Sequence, residues 1–161
     1  RRAVGIKRAG AVVLIATGSE VELALDVAER LEGEGVTARV VSLPNWRRFE
    51  AQDEAWRESV LPSADPEQIL RVSIEAGTTF GWERLTLSKG LRFGLDTFGA
   101  SAPAKDLYDH FGLTVDKIVP QVLARLEQLG GGLAAYRQAA TASSTAHSTP
   151  TDLAEAEAHP S

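Results

Sequence analysis

The chain has 161 residues, 43% hydrophobic and 24% charged, with a formal net charge of −5. That is the balance of one folded domain, and it lacks the basic footprint of a nucleic-acid module. With no cysteine and only three histidines, it has no disulfide framework, no thiolate site or nucleophile, and too little imidazole for a histidine-based metal centre.

No apolar run approaches the ~18 residues a membrane span needs. Arg1-Arg2 is followed by no apolar stretch of signal-peptide length. The chain contains no Met and begins with Arg, so it reads as a piece of a longer protein. Residues 1–10 mix Arg, Lys, Gly and Ala and read as a linker. Val12–Thr17 (VVLIAT) is a β-branched apolar run that suits a strand covered on both faces. Ser19-Glu20-Val21-Glu22 then has the S-x-x-E pattern of a capping box, with Ser19 and Glu22 exchanging hydrogen bonds at a helix start. Val21, Ala24, Leu25, Ala28 and Leu31 follow at helical spacing, and Gly35 stands where a left-handed stop is expected. Ala38–Leu43 is a second strand, and the short connections imply a right-handed, parallel strand–helix–strand unit.

Trp46–Phe49 and Gln52–Val60 read as short helices ended by Leu61-Pro62. Leu70–Ile74 is a third strand, Thr78–Leu87 a short helix and Leu91–Leu95 a fourth strand weakened by Gly94. Pro103 suits the first turn of a further helix that Gly112 ends. Thr114 is placed to cap the next helix. Its stripe is Val115, Ile118, Val119, Val122, Leu123 and Leu126, and Pro120 removes one donor inside it. Residues 11–130 thus form the domain. Residues 131–161 are rich in Ala, Ser and Thr and read as a flexible tail.

Candidate chemistry is sparse. Gly18 and Ser19 sit between the first strand and first helix, where free amides and the helix dipole can hold an anion. The plainer reading is that Ser19 caps its helix, since Glu20 and Glu22 already place negative charge there. Ser101 in G-A-S-A-P lacks the second glycine of a nucleophile elbow. Asp109 and His110 are adjacent on one helix and build no triad with it. Glu75 ends the third strand, where parallel sheets collect functional groups. A structural ion pair with Arg71, Arg84 or Arg92 is the simpler expectation. Trp82 reads as a packing anchor.

Taken together, VVLIATGSEVELALDVAERLEGEGVTARVVSLPNWRRFEAQDEAWRESVLP, RVSIEAGTTFGWERL and GLDTFGASAPAKDLYDHFGLTVDKIV resemble the transketolase C-terminal domain, in the right order from about Ala11 to Leu129. The resemblance implies a three-layer α/β/α fold with a five-stranded sheet, mostly parallel with one antiparallel strand. Enzymes of that family are homodimers that use thiamine diphosphate and magnesium to move a two-carbon ketol unit between sugar phosphates, and a cytoplasmic location is expected. Their cofactor is held by two earlier domains, upstream partners whose motifs are not found in this sequence. No catalytic, cofactor-binding or metal residue is therefore assigned here. The resemblance implies a structural, dimer-packing role and a regulatory ligand site to which it assigns no residues; Gly18 and Ser19, from the helix start alone, are the candidate anion or regulatory site. Pro120 and the Ala/Ser/Thr tail depart from the family pattern. The competing reading is a freestanding α/β module that binds an anionic small molecule at Gly18-Ser19.

Overall fold

The computed structural model describes residues 11–62, 69–95, 108–129 and 133–134. In chain order it contains β1 (Val12–Ala16), α1 (Glu20–Gly33), β2 (Ala38–Ser42), α2 (Trp46–Glu50), α3 (Glu54–Val60), β3 (Leu70–Ile74), α4 (Glu83–Thr86), β4 (Leu91–Phe93) and α5 (Val115–Gln128). The sheet runs β2-β1-β3-β4, and all its pairings are parallel. Val12 is level with Ala38 on one side and Leu70 on the other.

Side chains alternate across the sheet, and each face has its own core. Val12, Leu14, Ala16, Val72 and Ile74 pack against Ala24, Val27 and Leu31 of α1 and Ile118, Val122 and Leu126 of α5. Val13, Ile15 and Val41 face the other way, onto Phe49, Leu61, Trp82 and Leu85 around α2, α3 and α4. All five residues of β1 are buried, which is why its sequence shows no polar alternation. The result is the expected α/β/α sandwich, with four strands among the described residues, all parallel; the antiparallel fifth strand is not among them.

Several boundaries differ from the sequence reading, each for a visible reason. The buried stripe of α1 is Glu20, Ala24, Val27, Ala28 and Leu31, so Leu25 is turned out and is 47% exposed. The expected helix over Thr78–Leu87 shrinks to the single turn of α4. Gly81 is left-handed, with φ 87°, and any Cβ there would lie 3.7 Å from the Trp46 ring. The strand expected to reach Leu95 ends at Phe93, because the amide of Leu95 turns to donate to the carbonyl of Gly77.

Helix α5 continues through Pro120. The bond that proline removes would have used the carbonyl of Asp116, and Asp116 is exposed, so water can satisfy it. Thr114 does begin α5, but its hydroxyl makes no capping bond; its carbonyl accepts from Lys117 and Ile118. Helix α1 ends as expected. Gly35 has φ 78°, and the amide of Val36 returns to the carbonyl of Leu31 at 2.9 Å. The glycines at 130–132 lie outside the described residues. Leu133, assigned to the tail by composition, packs partly buried against the first core.

Candidate functional site

From β1 the chain crosses to β2 on one side, and later enters β3 on β1's other side. The loops that leave β1 and β3 therefore part at the carboxyl end of the sheet. Open parallel sheets place ligand crevices at such a switch point. Thr17, Gly18, Ser19 and Glu20 follow β1 here, Glu75 and Gly77 follow β3, and Tyr108 arrives from the helical turn at 108–110.

These groups bond to one another. Thr17 Oγ1 donates to Glu75 Oε2 at 2.8 Å and so bridges the two loops. Glu20 is 5% exposed. Its Oε1 accepts from Ser19 Oγ at 3.0 Å and from the Tyr108 hydroxyl. That bond to Glu20, with burial, raises the Tyr108 phenol above its ordinary value, and the nearby Glu75 charge acts in the same sense.

The capping box is not formed. A capping side chain needs an extended backbone at the cap residue. Ser19 instead has φ −66° and ψ −29°, already helical, and makes no capping bond. The amide of Glu22 donates to the Ser19 carbonyl at 3.3 Å and not to its hydroxyl, while the Glu20 amide donates to the Thr17 carbonyl at 3.1 Å. Gly18, with φ 53°, makes the tight turn before it.

Among the described residues, Glu75 does not pair with an arginine. Arg71 donates to the carbonyls of Leu61, Pro62 and Leu85. Arg84 pairs with Glu50 at 2.6 Å, and Arg92 reaches Thr86 Oγ1 at 3.3 Å. Trp82 is a buried packing anchor, edge-on to Trp46 at 4.8 Å. His110 is exposed beside Phe111, and Asp109 lies 3.5 Å from Lys117. Ser101 and Pro103 lie outside the described residues.

Tyr108 had no signal in the sequence: its partner Glu20 is 88 positions away. Glu20 itself reads in the sequence as a first-turn acid that places negative charge at the helix start, and the fold buries it. Among the described residues, no group of three or more His, Cys, Asp or Glu is placed to hold a metal ion. Nor does the donor set fit a diphosphate. Glu20 and Glu75 present acceptor-only carboxylates, whereas an anion of that kind needs donors and a cation.

A family model described as "Transketolase-like TK C-terminal domain" matches residues 4–114. The chain belongs to that family. It is 50% identical over 108 residues to the chloroplastic transketolase of Spinacia oleracea, covering 67% of this chain and 14% of the relative. It is 50% identical over 117 residues to the chromosomal transketolase of Cupriavidus necator, covering 73% and 17%. A solved transketolase from Leishmania mexicana superposes with a TM-score of 0.70 at 38% identity, covering 81% of this chain and 18% of that one. The chain thus spans less than a fifth of the length of these relatives. No described helix is long and apolar enough to cross a membrane.

Proposed function

We propose that this chain is the C-terminal domain of a transketolase and that the domain is itself non-catalytic. The parent enzyme would be a cytoplasmic homodimer using thiamine diphosphate and magnesium for two-carbon ketol transfer between sugar phosphates. The partners of this domain would be the thiamine-binding domains upstream. One observation carries the structural role. At the switch point, where a working parallel sheet offers free polar groups, Thr17, Ser19, Glu20, Glu75 and Tyr108 are engaged with each other. They tie β1, β3 and the turn at 108–110 into one crest. Calorimetry of the chain with thiamine diphosphate and magnesium is expected to show only heats of dilution. Stoichiometric binding would overturn the assignment.

The second reading, a module holding an anion at Gly18 and Ser19, has the helix start in its favour. The carbonyls that already occupy the Glu20 and Glu22 amides weigh against it. Phosphorylated sugars and nucleotides decide between the two. A rise in thermal midpoint that vanishes in Ser19→Asp favours the second reading.

A further inference from the structure

On the sheet face opposite α1 and α5, a cavity of about 270 Å³ opens between α2, α3 and α4. Three arginines line it. Arg71, rising from β3, is 6% exposed. Its Nη1 donates to the Leu85 carbonyl at 3.0 Å, and its Nη2 to those of Leu61 at 3.0 Å and Pro62 at 2.7 Å. These acceptors take three of its five N–H groups and leave the formal charge in place. Burial pushes its pKa down, and Glu58 opposes that through space. Arg57, on α3, also lines the cavity. Its Nε is buried without a hydrogen-bond partner, and no ion pair is made by its guanidinium among the described residues. Arg84 stands at the rim, paired with Glu50, its side chain 64% exposed.

A buried cation without a contacting counter-charge is costly. A guanidinium N–H that is buried and unused adds to that cost. Both are relieved by an acceptor-rich anion in the cavity, which the planar guanidinium fork suits. The carbonyls at the carboxyl end of α3 would repel such an anion. Arg39 covers those of Ser59 and Val60, and Arg71 those of Leu61 and Pro62. Glu54 and Glu58 also line the cavity and limit the charge it can accept. Phe49 and Leu85 offer an apolar wall to an organic body. We propose that this cleft is a binding site for a small oxyanion, a phosphate or carboxylate group on a compact organic molecule. The site is separate from the crest at the carboxyl end of the sheet.

The test is titration of the full chain with inorganic phosphate, and in parallel with succinate, by calorimetry and thermal shift against chloride at matched ionic strength. At least one of the two anions is expected to bind and raise the midpoint, and the stronger arm tells which group the site prefers. Arg57→Gln is expected to weaken binding about tenfold or more, the loss of a charge-assisted hydrogen bond. Glu54→Gln removes a like charge and is expected to tighten it several-fold. Ser19→Asp is expected to leave it unchanged. Circular dichroism and the anion-free midpoint check that each variant folds. If Arg57→Gln does not fold, Arg84→Gln at the exposed rim replaces it with the same expected direction. Binding of neither anion overturns the proposal. So does binding that survives the arginine substitution, or that disappears in Ser19→Asp.

Discussion

Tyr108 and Glu20 show how one contact ties distant parts of the chain. The tyrosine hydroxyl gives the buried carboxylate its second donor, beside Ser19. Tyr108→Phe should cost about 1–3 kcal/mol, the penalty for leaving a buried acceptor short of a partner. The variant should also change the alkaline limb of stability. The folded phenol keeps its proton to higher pH than the ordinary value of 10, so the unfolded chain releases the proton first. Stability contributed by this group is therefore whole below pH 10 and falls as pH rises above it. Urea midpoints measured across that range should fall less steeply in Tyr108→Phe. Ser19→Ala breaks no cap bond, but it removes the other donor to the buried Glu20 carboxylate, so a loss of about 1–3 kcal/mol is expected in urea unfolding for that reason. Gly90 is the opposite case. A Cβ there would stand 2.2 Å from the Thr86 carbonyl and 2.6 Å from that of Arg71. Backbone atoms cannot step aside, so Gly90→Ala should cost about 1–3 kcal/mol or more in urea unfolding.

At the scale of elements, the short helices α2 and α3 are held by their caps more than by length. Asn45 Oδ1 accepts from the Arg48 amide at 2.9 Å, and Asp53 Oδ1 from that of Trp56 at 2.8 Å. Both cap residues are extended, the geometry that Ser19 lacks. Asn45→Ala and Asp53→Ala should each lose about 0.5–2 kcal/mol, and the two losses measured by urea unfolding should be near additive in the double variant. The far end of α3 depends on the sheet beneath it. Val13 of β1 lies level with Arg39 of β2 and Arg71 of β3. The two arginines flank it and cover the carbonyls where α3 ends. Replacing Arg71 with leucine would strand the three carbonyls it serves. A loss of about 3–5 kcal/mol is expected.

Over the whole molecule, two cores on opposite faces of one sheet account for the fold. The first is the larger, and it reaches Leu133, whose amide donates to Glu127 at 2.9 Å. Truncation after Gly132 should therefore lower stability slightly, by about 1 kcal/mol, part of the burial energy of a leucine. An unchanged thermal midpoint would show that Leu133 adds nothing. The family match and the parallel sheet order are properties at this scale too. They place the chain in its domain family, while the crest at the carboxyl end of the sheet supports the structural role proposed for it.

The strands could be read directly from the sequence. Buried parallel strands need continuous apolar, β-branched runs, and VVLIA and LRVSI carry that signal without any tertiary context. The stop at Gly35 was equally local, because a left-handed residue there favours glycine. Three separated motifs in order also sufficed to place the chain in its family. The capping box at Ser19 was a local pattern that the fold did not use. Once Gly18 turned the chain and Ser19 took helical angles, the hydroxyl faced Glu20 instead of the amide ahead. The burial of Glu20, the Thr17–Glu75 bridge and the arrival of Tyr108 depend on which strand lies beside which. So do the positions of Arg39 and Arg71 on either side of Val13. Such contacts join residues tens of positions apart, and no short-range periodicity encodes them; the parallel register of β1 with β2 and β3 brings the strand residues together, and the turn at 108–110 brings Tyr108 to Glu20.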